Sequence, residues 1–306
     1  MRNPVLAALV VLLGAPNARA EPAPPSVVRL AVYVPGVPFG SLDERGRFVS
    51  GLSAALGTGL GVRVQGRAYA NLVDLEKDLG EIAFAIVESP VAATTRSLRP
   101  LAVAVVGGDT EVQLALFGLD KARGKLEGRR LAHVRLGRAT AGIIDGLLFD
   151  GDPSAALIKR VPVPDVASGT SLLKLDKADY LVAYADQLEG LRASVPGVQI
   201  LLRSVRVPGL TLALGGASGA ARLAAKAQSA LALLPSPLLG ISGFRPASAG
   251  EFDALRHGVA ARARRSPLLF EPALRWGGGK VSPPAADLPR PTIQSLFAPP
   301  AALVSK

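Results

Sequence analysis

Strand-like runs alternate with helical segments between residues 27 and 87, and this alternation constrains the fold more than any other feature. "VVRLAVYV" and "IAFAIV" are short apolar runs rich in β-branched residues, typical of buried strands. Apolar strands joined by helices predict an α/β fold with a parallel sheet covered on both faces. The strands are predicted at 27–34, 62–70 and 82–87, and the helices at 41–57 and at 71–79, with Asn71 as N-cap.

The pattern continues beyond residue 87, with two strand-like crossings near 106–111 and 204–209. Two crossings indicate that the chain enters a second lobe and returns, which leaves a cleft between the lobes. Lobe 1 is expected to comprise 27–106 and 207–265, and lobe 2 to comprise 107–206. Further strands are predicted at 101–106, 111–118, 129–136, 179–185, 198–204 and 209–214, and further helices near 142–149, 153–159, 168–175, 217–234 and 248–265.

The N-terminus has the form of a secretory signal. Arg2 supplies a positive charge, "VLAALVVLLGAP" is a short apolar region, and Ala18-Arg19-Ala20 matches a cleavage site. We expect residues 1–20 to be removed after Ala20 and the mature chain to be periplasmic and monomeric. The chain has no cysteine, which excludes disulfides and a lipid anchor at the cleavage site. No later apolar run predicts stable membrane insertion.

The formal net charge of the 306-residue chain is +11. This charge has two interpretations: an arginine-rich proteome, or an anionic partner concentrated by a basic cleft. Nucleic acid is excluded as a partner because aromatic residues make up only 5% and no basic run contains interleaved aromatics. Residues 277–306 are rich in proline and are predicted to form an extended or disordered tail.

Motifs for catalysis and metal binding are missing from the sequence. His133 and His257 have no second ligand at suitable spacing, so no metal site is predicted. "GASG" and "GISG" fall short of a nucleophile elbow, and Gly118–Lys125 has one residue too many for a phosphate-binding P-loop. Without a nucleophile paired to a base, we expect neither an enzyme nor a cofactor.

The turn "GRATAG", at 137–142, lies between a predicted strand and a helix. The first N–H groups of a helix have no internal partners, so such a turn can hold an anion. Thr140 in this turn is interpreted either as a ligand contact or as a helix cap.

Several segments together resemble the periplasmic solute-binding proteins of ABC transporters with the type II fold, in the phosphate, phosphite and phosphonate branch. They include "VRLAVYVPGVPFG" and "IAFAIVESPVAA" early in the chain, "GLDKARGKLEGRRLAHV" and "ATAG" in the middle, and "VPGLTLAL" and "GISGFRPASAGEFDALR" after the return. The resemblance implies two lobes, each a mostly parallel sheet flanked by helices, with the crossing strands as a hinge. It also implies a small anionic ligand and an ABC permease as partners.

The resemblance places the ligand in the cleft, at strand ends and helix starts. The loop Pro35–Gly40 is a lobe 1 candidate, and Ser168 and Thr170 can alternatively act as helix caps. The full set of predicted ligand-binding residues is Tyr69, Glu88, Ser89, Arg138, Ala139, Thr140, Ala141, Gly142, Ser168 and Tyr184.

This chain departs from the phosphonate-binding pattern at the helix start. The family motif resembles Ser-Thr-Ser-Gly, whereas Ala139 and Ala141 here lack the hydroxyls. Two lost neutral hydrogen bonds would cost about 1–3 kcal/mol of binding free energy. Arg138 either compensates with a charge-assisted bond or points into solvent. Glu88 would repel a phosphate unless it is protonated or turned away. An alternative function is therefore an orphan envelope interaction or sensory module without transport.

Overall fold

The structure, a computed structural model, describes residues 27–119, 126–150, 152–248, 250–252 and 255–256. Within these residues the chain forms two sheets flanked by helices, which we call lobe 1 and lobe 2 after the sheet each contains. No helix in the described ranges is long and apolar enough to cross a bilayer.

Lobe 1 contains a six-stranded sheet in the order β11-β4-β10-β3-β1-β2. Strand β1 pairs in parallel with β2 and β3, whereas β10 and β11 pair antiparallel to their neighbours. Its elements are β1 (Val27–Tyr33), α1 (Leu42–Leu60), β2 (Arg63–Ala68), α2 (Leu72–Asp78), β3 (Phe84–Glu88), α3 (Ser89–Thr94), β4 (Arg99–Val106), β10 (Leu210–Leu214), α7 (Ala220–Leu231) and β11 (Ile241–Pro246).

Lobe 2 contains a five-stranded sheet in the order β7-β6-β8-β5-β9. Strand β6 is parallel to β7 and β8, and β5 is antiparallel to β8 and β9. Its elements are β5 (Glu111–Leu119), β6 (Arg130–Val134), α4 (Thr140–Leu148), a 3-10 turn (Pro153–Leu157), β7 (Lys159–Val163), α5 (Val166–Lys174), β8 (Tyr180–Tyr184), a second 3-10 turn (Ala185–Gln187), α6 (Leu188–Ser194) and β9 (Val198–Pro208).

The two-lobed α/β prediction is confirmed, with the refinement that both sheets are mixed. The parallel strands are those that follow one another through a helix, β1 to β3 and β6 to β8. Strands β4 and β9, from which the chain leaves a lobe, run in the same direction as these parallel strands. Strands β5 and β10, through which the chain enters a lobe, and β11 run in the opposite direction, which makes both sheets mixed.

Two strands were not predicted from the sequence, and both lie at sheet edges. Strand β7, "KRVPV", follows a 3-10 turn where a helix was expected at 153–159, so that helix is wrong. Strand β11, "ISGFRP", was missed altogether. Edge strands tolerate proline, glycine and charged residues, which weakens their apolar pattern. Most of the helix expected at 248–265 lies outside the described residues.

The apolar core joins the two lobes. One cluster fills the space between α1, α7 and one face of the lobe 1 sheet. A second cluster starts on the other face of that sheet, at residues such as Val87, and continues into lobe 2 through Leu116 and Val182. The lobes are therefore packed against each other, with the ends of their parallel strands at the contact.

The two crossings run side by side. Residues 107–110 join β4 to β5, and Gly209 joins β9 to β10, with the Gly209 N–H donating to the Thr110 carbonyl at 2.8 Å. The Arg245 side chain, on β11, donates to Thr110 Oγ1 at 3.0 Å. Two adjacent crossings restrict relative motion of the lobes to bending about this line.

Candidate functional site: the contact between the lobes

Side chains and backbone groups from both lobes meet at the carboxyl ends of β1, β3, β6 and β8. The Tyr33 hydroxyl of lobe 1 donates to the Arg135 carbonyl of lobe 2 at 2.9 Å. The Tyr184 hydroxyl of lobe 2 donates to Glu88 Oε2 of lobe 1 at 3.0 Å. Two further bonds link Gln187 Nε2 to the Gly36 carbonyl and the Gly36 N–H to Glu88 Oε1. We call these residues the interlobe cluster: Tyr33, Gly36, Glu88, Arg135, Tyr184 and Gln187.

Glu88 is the electrostatic centre of the interlobe cluster. It ends β3 and is 0% exposed. Burial raises its pKa to about 7, against the opposing effect of the hydrogen bonds from Gly36 and Tyr184. Among the described residues, no Lys or Arg forms an ion pair with this carboxylate. A buried carboxyl without a counter-ion is costly, and partial protonation is the physical response.

The charge of the Glu88 carboxyl acts on two tyrosine hydroxyls of the cluster. Burial raises the pKa of Tyr33, and the charge of Glu88 adds to this effect. Burial likewise raises the pKa of Tyr184, again with Glu88 as the next cause. Both side chains therefore remain neutral hydrogen-bond donors at any physiological pH.

Two buried polar atoms, one in the residue after Glu88 and one in the turn after β8, have no hydrogen-bond partner within the described structure. Ser89 follows Glu88 directly and is 1% exposed, and its Oγ is unpaired. Gln187 uses its amide nitrogen on Gly36, but its Oε1 is buried without a partner. Buried polar atoms are normally satisfied, so these two require an explanation.

In the turn at 137–142, the Thr140 hydroxyl forms hydrogen bonds with neighbouring backbone groups. Thr140 Oγ1 donates to the Gly137 carbonyl at 2.6 Å and accepts from the Leu136 N–H at 3.1 Å. Ala139 occupies the N-cap position of α4 without a side-chain bond, and Ala141 is exposed. The only hydroxyl in this motif is thus engaged in holding its own turn.

Arg138 pairs with the opposite lobe rather than pointing into free solvent. Its Nε donates to Glu76 Oε1, on α2, at 2.7 Å, and its side chain is 77% exposed. The hydrogen bond to Glu76 and the charge of that carboxylate raise the pKa of Arg138. The pair spans the rim of the interlobe contact.

Tyr69 and Ser168 face other partners. The Tyr69 hydroxyl donates to Asp78 Oδ2 at 2.7 Å, and the Arg67 guanidinium lies 4.7 Å from its ring centre. Ser168 is inside α5, where its N–H donates to the Asp165 side chain at 2.7 Å. Asp165 is therefore the N-cap of α5, and the cap role considered for Ser168 is wrong.

Sequence reasoning named Glu88, Ser89 and Tyr184 but missed their neighbours. Tyr33 and Gln187 were overlooked because each is one ordinary residue at a strand end or in a turn. Gly36 falls in the loop Pro35–Gly40 that was a candidate. The position after a strand could have directed attention to Gln187, since it lies in the short turn that follows β8. No group of three or more potential metal ligands occurs in the described part of the chain.

Solved structures with the same fold include several binding proteins. XAC2383 from Xanthomonas citri, bound to chloride ion, has a TM-score of 0.62 at 15% identity, covering 78% of this chain and 99% of that one. A binding protein component of an ABC phosphonate transporter from Pseudomonas aeruginosa has a TM-score of 0.59 at 10% identity, covering 78% and 87%. PhnD1 from Prochlorococcus marinus, in complex with methylphosphonate, has a TM-score of 0.59 at 8% identity, covering 78% and 99%.

Sequence comparison adds nothing to this structural likeness: no protein-family model and no curated protein matches the chain. The structural likeness establishes the architecture, and identities this low leave ligand and partner open. The chain therefore has the two-lobed type II fold of periplasmic solute-binding proteins.

Proposed function

We propose that this chain is a periplasmic solute-binding protein that closes its lobes on a small solute and delivers it to an ABC permease. The observation that carries the proposal is the interlobe cluster, which gathers polar groups from both lobes at the carboxyl ends of their parallel strands. In open α/β sheets this edge is where ligands bind. The paired crossings at Thr110 and Gly209 supply a hinge for opening and closing.

The sequence and the geometry of the site indicate different charges for the solute. The resemblance in sequence implies an anionic, phosphate- or phosphonate-like ligand. Against this, Arg138 is paired with Glu76, and the hydroxyl of Thr140 is used within its own turn. Glu88 also brings a carboxyl to the contact, where it would repel an anion when ionised. The test of function must therefore include solutes of both charges.

A thermal-shift screen tests solute binding directly. The panel contains phosphate, phosphite, methylphosphonate, sulfate, small carboxylic acids and small amines at millimolar concentration. A ligand present at a hundredfold excess over its Kd stabilises the folded protein by about 2.7 kcal/mol. At least one compound should raise the melting temperature by several degrees. A flat response to the whole panel would contradict the proposal. A permease and an ATPase encoded beside this gene would support delivery to a transporter.

A second candidate is an envelope interaction or sensory module that no longer transports. The specific observation in its favour is that the lobes are already joined by their own side chains, through Tyr184 on Glu88 and Tyr33 on Arg135. Small-angle scattering distinguishes the two candidates. A solute-binding protein should become more compact when a ligand from the screen is added, whereas a self-closed module should keep the same radius of gyration.

A further inference from the structure

The contact between the lobes has a surplus of hydrogen-bond acceptors. The Glu88 carboxyl accepts from Gly36 and Tyr184, yet a carboxylate has room for about four hydrogen bonds. Within the described structure, Ser89 Oγ and Gln187 Oε1 are buried without a hydrogen-bond partner. Gln187 and Glu88 are bonded to the same residue, Gly36, one to its carbonyl and the other to its N–H. Glu88 and Gln187 therefore meet at Gly36, and Ser89 is the residue that follows Glu88.

In the part of the chain that the structure describes, no positive side chain forms an ion pair with Glu88. The charges that act on the cluster from neighbouring residues are those of Arg135 and Glu76, which act on Tyr33, and that of Asp186, which acts on Tyr184. Arg135 reaches the cluster through its backbone carbonyl, and its side chain is exposed. Glu76 is already paired with Arg138. An uncompensated carboxyl with unused acceptors around it is the complement of a cation that carries several N–H donors.

We propose that the site between the lobes binds a small solute through a primary ammonium group, with Glu88 as counter-ion and Ser89 and Gln187 as additional acceptors. An ammonium has three N–H donors, one for each of these groups. The inference rests on the proposed solute-binding function and specifies its class of ligand. It differs from the anion that the sequence resemblance implies.

Opening of the lobes would make the carboxyl accessible. Separation of the lobes removes the bond from Tyr184 to Glu88 and the bond from Gln187 to Gly36, because in each case the donor and the acceptor lie on different lobes. Gly36 and Ser89 stay with Glu88 on lobe 1. An incoming ammonium then replaces the lost donor, and closure returns the Gln187 amide to it. The ligand would stabilise the closed form because it bridges acceptors from both lobes.

Titration calorimetry tests the charge of the ligand and the role of Glu88 together. Ethanolamine and putrescine are the cationic probes, and methylphosphonate and phosphate are the anionic ones. Each is titrated into the full chain at pH 7 in two buffers of different ionisation enthalpy. A cation beside Glu88 lowers its pKa from about 7, so an amine should bind with release of about half a proton. An anion at the same place would take up protons instead.

The Glu88→Gln variant should bind the amines ten- to a hundredfold more weakly and should show no proton release. Glu189→Gln is the matched control, because Glu189 is exposed and pairs only with Arg192 within α6 in the described structure. This control should bind like the wild type. Proton release in the wild type does not depend on a variant, so it remains informative if Glu88→Gln folds poorly.

The outcomes separate this inference from the function on which it rests. Anions that bind with proton uptake, while amines do not bind, would overturn the ammonium site and leave solute binding intact. Amine binding that is unchanged in Glu88→Gln would overturn the role of Glu88. Binding of none of the four probes, together with a flat thermal-shift screen, would overturn both proposals.

Discussion

Replacing Glu88 with glutamine should change how the free energy of unfolding depends on pH. In the unfolded chain this carboxyl has its ordinary pKa of 4.5, whereas burial raises the pKa to about 7 in the folded protein. Between these two values the folded protein holds a proton that the unfolded chain has lost. The free energy of unfolding of the wild type therefore falls as pH rises from 4.5 to 7 and stays low above pH 7.

The size of this effect follows from the two pKa values. A difference between 4.5 and about 7 corresponds to about 3 kcal/mol of stability, at about 1.4 kcal/mol per pKa unit. Glutamine has the shape of the protonated side chain but does not titrate, so Glu88→Gln removes the dependence. The variant should gain about 3 kcal/mol relative to wild type between pH 4 and pH 8.5. Its absolute stability at pH 4 need not match that of the wild type.

Urea unfolding followed by far-ultraviolet circular dichroism measures this difference at several pH values. Burial also raises the pKa of Asp186, so this group can titrate in the same range. Such groups are present in both proteins, so their effect cancels in the difference between the two free energies of unfolding. Glu189→Gln, in an exposed position, should run parallel to the wild type. If the Glu88→Gln and wild-type curves also run parallel within about 1 kcal/mol, burial does not perturb this carboxyl and the reasoning fails.

Three further substitutions test the contacts described above. Gly36→Ala would place a Cβ 2.6 Å from Glu88 Oε1 and should lower the free energy of unfolding by urea by about 1–3 kcal/mol. Gly80→Ala is the control, because a Cβ there would have nothing within 4 Å, and it should cost little. Equal losses in the two variants would contradict the close fit at Gly36. Arg138→Ala removes an ion pair in which the arginine side chain is 77% exposed and the Glu76 side chain 15% exposed. It should cost no more than about 1 kcal/mol in urea unfolding, and a larger loss would show that the pair holds the lobes together. Asn71→Ala removes the N-cap of α2 and should lower the free energy of unfolding by about 1 kcal/mol, and an unchanged urea midpoint would show that the cap bond contributes nothing.

The strands that are buried on both faces could be predicted from the sequence, whereas two of the four edge strands in the described sheets, β7 and β11, could not. Strand β3 is apolar in four of its five residues and buried throughout, so its local composition reports its position. Strand β7 carries lysine, arginine and proline, which an edge accepts because one side of it needs no partner strand. Composition reports burial, and β7 and β11 are only partly buried.

Prediction of the site was limited for a different reason. Glu88 and Tyr184 each follow from a simple rule about strand ends, but their contact depends on how two sheets pack. Nothing local to Gln187 or Tyr33 indicates a partner in the other lobe. The role considered for Arg138 depended on the direction of its long side chain, which its sequence neighbours do not determine. In the structure, the Glu76 carboxylate on α2 determines that direction.

The position of β10 in the lobe 1 sheet has a consequence for how the chain folds. Strand β10 lies between β3 and β4. Its residue Leu210 pairs with Glu88, although the whole of lobe 2 separates these two residues in the sequence. Lobe 2 is one continuous stretch and can form while the ribosome is still making the rest. The lobe 1 sheet cannot be completed before β10 has been made. A lobe 2 that is already compact shortens the loop that closes when β10 pairs with β3. Completion of the lobe 1 sheet should therefore be the late, slow event in folding.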